Sequence, residues 1–354
     1  DAFDPANDVV THKMTLVAIW EKKEYTVSAS LYLNGSKEVA KDSRGMAISK
    51  SVKGLYDDPI NYKGEDGLEA QLKAAALAAD AANEPNQDRV DIEICLNDPS
   101  KAPFTATKYG EIGYNWRDME WTNPTTGVTN KWIVAYTWAY VYTYYDVTFM
   151  DGDTTLGTET VKCGEKLTFA DPTKYGYNFT GWKVLNADGT LGDAFDPAND
   201  VVTHKMTLVA TWEKKEYTVT ATLFLNGTNT GTNKSVKGLY DTNINYDGED
   251  GLKAQLKAAA LAADAANEPN QDRVDIEICL NDPSKAPFTA TKYGEIGYNW
   301  RDMEWTNPTT GAVKKWIVAY TWAHVDTYYD VTFMDGNTTL GTKTVKCGDT
   351  VSFA

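Results

Sequence analysis

DAFDPANDVVTHKMTLVA, residues 1–18, returns without change at residues 193–210, and this repeat decides how the 354-residue chain is organised. Two further strings recur in the same order. SVKGLY begins at Ser51 and again at Ser235, and YDVTFMDG begins at Tyr145 and again at Tyr329. Self-similarity at a long fixed period is the signature of an array of structural repeats. We therefore expect a tandem array of small modules.

One period contains a long and a short module. We predict the C-terminal half of a short module at residues 1–21, a long module at 22–143, a complete short module at 144–213, a second long module at 214–327, and the N-terminal half of a short module at 328–354. Both ends of the sequence then fall inside a module, so we expect an interior piece of a longer protein. The junction WEKKEY, at residues 20–25 and 212–217, joins strand almost directly to strand, which predicts a stiff rod.

The short module alternates apolar and polar residues, as β-strands do. Its motifs, in order, are YDVTFMDG from residue 145, VKCGEKL from 161, GYNFTGWKV from 176 and FDPANDVVTHKMTLVATW from 195. They resemble the Listeria–Bacteroides repeat, the family of the internalin B-repeat, found in tandem in large surface proteins. The resemblance implies a small, exported β-grasp-like domain of a stalk or adhesin, with no enzymatic residues. The sequence departs from the family at Cys163 and Cys347, where an aromatic residue is common.

The long module has the predicted order strand, strand, helix, strand, strand. Its first strand covers residues 25–33 and its last covers 131–142. A helix is predicted for residues 68–83, with Asp66 as N-cap. The predicted apolar stripe of this helix consists of Leu68, Leu72, Ala75, Ala76 and Ala79. The fold class is therefore α+β and β-rich, a tandem array of small β-grasp-like modules, the longer ones with one helix packed on a sheet. By architecture alone the long module also resembles mucin-binding repeats of Gram-positive surface proteins.

The last strand of the long module carries a row of aromatic residues on one face. Small and β-branched residues at 133, 135, 139 and 141 are expected to face the helix, and the aromatic row faces away. Either this row packs under the turn-rich segment 113–124, which contains Trp116 and Trp121, or it is an exposed platform for sugar rings or another module. The candidate platform residues are Trp132, Tyr136, Trp138, Trp316, Tyr320 and Trp322.

The charge balance limits the classes of partner. The chain has 34 basic and 50 acidic side chains and a formal net charge of −16, which argues against nucleic acid as a partner. No stretch reaches about 18 apolar residues, so we expect no membrane insertion in this segment. One cysteine per module leaves no partner for an internal disulfide, and the thiols are expected to be unpaired.

No group of residues with catalytic or metal-binding character repeats along the chain. Among the histidines, His324 stands where the other copy has Tyr140, and Asp91 and Glu93 are expected to be solvated sheet residues. The acidic loop 61–66 carries Lys63 where its copy has Asp247, an exchange that a calcium site does not tolerate. We therefore expect no enzyme, no cofactor and no metal site.

The sequence favours a structural stalk or fibre segment of a large extracellular, adhesin-like cell-surface protein. We expect this protein to be bacterial, wall-anchored or secreted, with neighbouring repeats of the same protein as head-to-tail partners. The alternative is a multivalent repeat that binds host or cell-surface glycans, mucin or proteins through the aromatic sheet face. Solvent exposure of the platform residues is the feature that separates the two hypotheses.

Overall fold

The computed structural model describes residues 3–56, 58–95, 117–279 and 301–352. Within these residues it contains fifteen β-strands and two α-helices. The chain divides into two compact units, the first made of Asp1–Ala170 and Trp182–Val209 and the second of Asp171–Gly181 and Ala210–Ala354. The predicted β-rich α+β class is confirmed.

The first long module is built on a mixed sheet. Its elements are β1 (Glu24–Leu33), β2 (Ser49–Leu55), α1 (Leu68–Ala79), β3 (Val90–Cys95), β4 (Arg117–Thr122) and β5 (Thr129–Asp151). Strand β1 pairs antiparallel with β2 and parallel with β5, from Glu24 opposite Trp132 to Leu33 opposite Val141. Strands β3 and β4 both pair antiparallel with β5. Strand β5 is thus central to this module.

The core of this module lies between α1 and one face of the sheet. Alternate residues of β1, including Val27, Ala29 and Leu31, are fully buried there. The predicted inward residues of β5 join them, namely Ile133, Ala135, Ala139 and Val141. The predicted inward face of β5 is therefore confirmed, and β1 shows the same period of two, because alternate side chains of a strand point to opposite faces.

Helix α1 differs from its prediction at both ends. The α-helix stops at Ala79 and residues Ala81–Asn83 form a 3₁₀ turn. The N-cap is Gly67, with extended backbone and no side-chain cap, so the prediction of Asp66 is wrong. The N-cap position requires glycine here, because a Cβ at residue 67 would lie 2.5 Å from the Tyr62 carbonyl oxygen. Ala79 is exposed rather than part of the stripe, because the buried positions step by four from Leu68.

The short module continues from the same strand. Its further elements are β6 (Thr154–Lys162), β7 (Tyr177–Leu185), β8 (Leu191–Phe195) and β9 (Met206–Lys214). Strand β5 pairs antiparallel with β6 and parallel with β9, and β9 is followed across the sheet by β7 and β8. Phe149 stacks on Phe169 with ring centroids 3.9 Å apart, and the buried Trp182 meets Phe149 edge-on at 5.0 Å.

The second long module repeats the topology of the first. Its elements are β10 (Glu216–Leu225), β11 (Thr228–Leu239), α2 (Leu252–Ala263), β12 (Val274–Cys279), β13 (Arg301–Thr306) and β14 (Val313–Asp335), and β15 (Thr338–Lys346) follows. Strand β10 pairs parallel with β14, from Glu216 opposite Trp316 to Leu225 opposite Val325. Strand β14 then pairs with β15, as β5 does with β6.

The last strand of each long module is much longer than predicted. Strands β5 and β14 each have 23 residues, whereas the prediction for the first copy was 131–142. Both strands pass through the predicted module boundaries at 143/144 and 327/328 without a break. The extension has a physical cause, because β6 and β15 supply hydrogen-bonding partners beyond those boundaries. The domain boundaries themselves stay a prediction.

Candidate functional site

The predicted platform residues lie on the sheet face opposite the helix. The helix packs against the odd-numbered residues of β5, so the even-numbered residues face the other way. Tyr136 is 53% exposed and its counterpart Tyr320 is 50% exposed. The remaining four residues are partly buried, namely Trp132, Trp138, Trp316 and Trp322. The structure thus puts each set of three on one strand face, with the tyrosine ring the most accessible.

Small polar residues border the exposed tyrosine. The parallel register places Ser28 beside Tyr136 and Ser30 beside Trp138. In the second copy Thr220 stands beside Tyr320. Side chains of this size cover little of a neighbouring ring, in agreement with the half-exposed tyrosines.

The described part of the proposed covering segment does not lie over this face. Residues 113–116, including Trp116, lie outside the described residues. Arg117–Thr122 forms β4, which is hydrogen-bonded along the edge of β5, from Arg117 opposite Val134 to Thr122 opposite Thr129. A strand paired along the edge widens the sheet and does not cover its face. Trp121, which lies in β4, is 50% exposed. A binding role of the platform remains a prediction.

A buried polar network that the sequence analysis missed lies where β5 leaves the long module. Asp80, the C-cap of α1, is only 4% exposed. Its Oδ2 accepts hydrogen bonds from Thr143 Oγ1 at 2.6 Å and Tyr145 Oη at 2.7 Å, and its Oδ1 accepts one from Asn83 Nδ2 at 2.9 Å. Three donors compensate the loss of hydration that burial imposes on the carboxylate.

The turn after β1 is hydrogen-bonded to the same network. Asn34 has a left-handed backbone with φ of 51°. Its Nδ2 donates to Thr143 Oγ1 at 2.9 Å, and its Oδ1 accepts from the Thr143 backbone N–H at 2.9 Å. One strand residue, Thr143, therefore joins the end of the helix to the end of β1.

The second unit contains the same network. Asp264 accepts from Thr327 at 2.6 Å, Tyr329 at 2.8 Å and Asn267 at 2.8 Å. Asn226 donates to Thr327 Oγ1 and accepts from the Thr327 backbone N–H, as Asn34 does with Thr143. Burial alone would raise the pKa of Asp264, but the three hydrogen bonds outweigh it, so this pKa lies below its ordinary value. Burial raises the pKa of Tyr329 to about 12, so its hydroxyl stays a donor at neutral pH.

One signal in the sequence could have revealed this network. An acidic residue at the C-terminal end of a helix is unfavourable, because the helix dipole is negative there. Asp80 ends an alanine-rich helix in this position, so it needs compensating donors. The donors Thr143 and Tyr145 are more than sixty residues away, and periodicity does not identify them.

The thiols Cys163 and Cys347 are free, as expected. Burial raises the pKa of the Cys163 thiol, which keeps it protonated and poorly nucleophilic at neutral pH. The side chains of Cys95 and Cys279 lie outside the described residues.

The polar residues weighed for chemistry have structural partners. Asp91 accepts a hydrogen bond from Tyr144 Oη at 2.7 Å and lies 3.6 Å from Lys162 Nζ. His204 contacts its neighbour Thr203, and the ring of His324 lies 5.2 Å from that of Phe224. In the described part of the chain, no group of three or more His, Cys, Asp or Glu side chains is arranged to hold a metal ion.

Comparison with known proteins identifies the short module. Residues 145–211 match the family model of the Listeria-Bacteroides repeat domain, as the sequence resemblance predicted. This family occurs in bacterial surface proteins. No curated protein matches the chain. Within the described residues, no helix has the length and apolar character needed to cross a membrane.

Proposed function

We propose that this chain is a segment that transmits tension along the stalk of a large extracellular bacterial surface protein. One observation carries the proposal: the first and last strands of each long module are adjacent and parallel, with ten residue pairs in register. Tension on the two ends of such a module slides β1 along β5 and loads all their hydrogen bonds together. An antiparallel hairpin pulled at its open end would lose its bonds one at a time.

The chain path carries tension from module to module through strands. Strand β5 enters the short module without a linker, and there Val147–Met150 again runs parallel to Met206–Val209. A single residue, Lys215, separates β9 from β10. The polar network of Asp80 fixes the helix and the β1 turn at the point where β5 leaves. These features support a mechanical role along the whole period.

The family match and the topology agree with this role. The strand order β2-β1-β5-β3, with a helix on one face, supports a β-grasp-like fold for the long module. The match of residues 145–211 to a repeat found in surface proteins supports an extracellular location. We propose neighbouring repeats of the same protein as its head-to-tail partners, and no enzymatic activity.

Single-molecule pulling tests the mechanical proposal. The whole chain is stretched once between its ends and once between its C-terminus and a handle inserted after Ser36, in the exposed turn that follows β1. The second geometry peels β1 from β5 instead of sliding it. We expect one unfolding event, that of the first long module, to move to a much lower force. The second long module is the internal control and keeps its force. Equal forces in the two geometries would contradict the proposal.

The accessible tyrosines support the second hypothesis, a glycan-binding repeat. Tyr136 and Tyr320 expose half of their surface at matching positions, and two such sites on one chain would bind a multivalent glycan by avidity. The test is binding of the whole chain to immobilised mucin, before and after Tyr136→Ala with Tyr320→Ala. Unchanged binding in the double variant, or no binding at all, would remove this hypothesis.

A further inference from the structure

One segment of the chain occurs twice, and only one of its two copies is paired. Residues 4–18 and 196–210 are identical in sequence. In the first unit Met206–Val209 pairs in parallel with Val147–Met150, whereas residues 9–23 form no strand. We call residues 4–18 the donor segment. Its apolar side chains are mostly exposed and their counterparts are buried, which are Val10, Leu16 and Val17 against Val202, Leu208 and Val209.

The donor segment already has the turn with which its paired copy begins. The Asp4 carbonyl accepts hydrogen bonds from the backbone N–H groups of Asn7 at 3.1 Å and Asp8 at 2.7 Å. The Asp4 N–H donates to Asp8 Oδ2 at 2.8 Å. Asp196 makes the same three hydrogen bonds in the paired copy, at 3.0, 2.7 and 2.7 Å. A segment whose turn is formed before it binds loses less conformational freedom on binding.

The second unit repeats the strand edge that receives this segment in the first unit. Val331–Met334 of β14 has the same sequence as Val147–Met150 of β5. It pairs with β15 on one side, as β5 does with β6. On its other side no strand of the described residues is paired with it. An open strand edge presents N–H and C=O groups that can pair with a further strand.

Apolar side chains at this edge are less covered in the second unit than in the first. Three of them are buried in the first unit, namely Val147, Phe149 and Leu167. Their counterparts in the second unit are partly exposed, namely Val331, Phe333 and Val351. A strand added at this edge removes apolar surface of both partners from water, which favours association.

The paired copy makes two further contacts away from this strand edge. The Val202 carbonyl accepts from the Gly164 N–H at 2.8 Å, and the Val202 N–H donates to the Glu165 carbonyl at 2.9 Å. Lys205 donates its backbone N–H to the Asn83 carbonyl at 3.0 Å. Its ammonium group donates to the Glu84 carboxylate at 2.9 Å. All these residues belong to the first unit.

The second unit presents the partners of both contacts in the same backbone conformation. Gly348 has φ of 84°, against 85° for Gly164, and Glu268 has φ of 52°, against 50° for Glu84. Both counterparts are exposed. Within the described residues, the Gly348 N–H and the Glu268 carboxylate have no partner. We call this combined area the acceptor surface, which consists of Asn267, Glu268, Val331–Met334, Gly348 and Asp349.

We propose that the acceptor surface binds the donor segment of a second copy of this chain. Met14–Val17 adds to Val331–Met334 as a parallel strand, which is recognition by strand addition. Val10 then takes the place of Val202, and Lys13 pairs with Glu268. The inference rests on the proposed function, since it names the surface through which head-to-tail partners join. Because donor and acceptor are different surfaces, the contact adds copies in a row or a ring.

The added strand has one partner strand where its paired copy has two. In the first short module β9 lies between β5 and β7. Among the described residues the acceptor surface has no counterpart of β7. We therefore expect the association to be weaker than the pairing within the first unit and to require high protein concentration.

Sedimentation velocity of the whole chain tests the association. We expect the average mass to rise with protein concentration. Val17→Pro removes the N–H group of a pairing residue and should abolish this rise. Val17 is exposed in its own molecule, so the variant keeps its fold. Ile19→Pro is the matched control, because Ile19 is equally exposed and its counterpart lies outside the four pairs with β5.

Hydrogen exchange of the dilute chain identifies the surface. The probe is a synthetic peptide with the sequence of residues 4–20. At a free concentration about ten times its dissociation constant, it should slow the exchange of those amides of Val331–Met334 that face away from β15 by about tenfold. Val147–Met150 is already paired and is the internal control. A peptide that carries the Val17→Pro change should protect neither stretch.

The other outcomes contradict the proposal. Association that persists in Val17→Pro would use another surface, and a peptide that leaves Val331–Met334 unprotected would exclude the acceptor surface. Protection of this stretch in the dilute chain without peptide, lost in Val17→Pro, would show that the donor segment binds within its own molecule. A chain that stays monomeric at every concentration would also refute the inference. Pulling on single molecules does not require association, so the mechanical role is tested independently.

Discussion

Tyr145→Phe removes a hydroxyl from the buried network at the end of the first long module, and with it the short hydrogen bond to Asp80 and two longer ones from Thr143 at 3.3 Å and Asn34 at 3.4 Å. Tyr145 is fully buried and donates to Asp80 at 2.7 Å. The phenylalanine ring fills the same space, so the change creates little cavity. Asp80 keeps Thr143 and Asn83 as donors and is not left as an unpaired buried charge. The short hydrogen bond to the charged group dominates the expected loss, which is about 1.5–3 kcal/mol rather than the larger cost of breaking a buried pair.

Hydrogen exchange localises this loss. A unit of this size loses about 2–4 °C of melting temperature per kcal/mol, so we expect a shift of roughly 3–12 °C in the first unit. Amides of Thr143 and Asn34 should exchange faster, while those of the second unit should not change. Tyr329→Phe is the matched variant, since Tyr329 donates to Asp264 at 2.8 Å. It should speed amide exchange in the second unit and leave exchange in the first unit unchanged.

Tyr32→Phe controls for loss of a hydroxyl as such. The Tyr32 ring is partly buried against Tyr140, and its hydroxyl has no hydrogen bond within the described residues, so the variant should stay within about 0.5 kcal/mol of the wild type. A Tyr145→Phe variant as stable as Tyr32→Phe would refute the reasoning, because it would show that the network does not stabilise the junction.

Three further predictions concern single positions. Leu208→Ala should cost about 2–5 kcal/mol of unfolding free energy because Leu208 is fully buried, whereas the counterpart Leu16→Ala, 58% exposed, should cost almost nothing in the same urea titration. The folded protein holds the pKa of Asp264 below its ordinary value of 3.8. The stability that Asp264 contributes is therefore complete above pH 3.8 and is lost as the pH falls through the folded pKa. The variant Asp264→Asn should show a smaller decline in unfolding free energy between about pH 5 and pH 2 than the wild type. Gly67→Ala should destabilise the helix start by about 1–3 kcal/mol, read from thermal unfolding, because its methyl group would collide with a backbone carbonyl.

Periodicity predicted the faces of the sheet and not its pairings. The alternation of β5 identified Ile133 and Ala135 as inward residues, and both are buried, together with Val27 and Ala29 of the neighbouring β1. The same alternation continues past residue 142, with Thr143 and Tyr145 also buried. The module boundary at 143/144 was predicted from the repeats, so the continuation of β5 beyond it was missed. A repeat shows where a sequence recurs and does not show where a strand ends.

The exchange of Asn130 for Lys314 between the copies has a structural correlate that sequence reasoning could not supply. Glu216 lies 3.6 Å from Lys237 and 3.4 Å from Lys314, whereas its counterpart Glu24 lies 3.6 Å from Lys53. Lys237 and Lys314 belong to different strands that are distant in sequence, so periodicity does not bring them together.

One segment that occurs twice shows that local sequence alone does not determine whether a strand forms. Residues 11–20 and 203–212 differ only at Ile19 and Thr211. In the second copy Met206–Val209 pairs with Val147–Met150 and forms part of β9. In the first copy the same residues form no strand, and Trp20 is 89% exposed. Intrinsic propensity is nearly identical in the two segments, so the partner strand decides the structure. Whether this segment forms a strand depends on its partner strand, and the mechanical role proposed above depends on the same strand pairing.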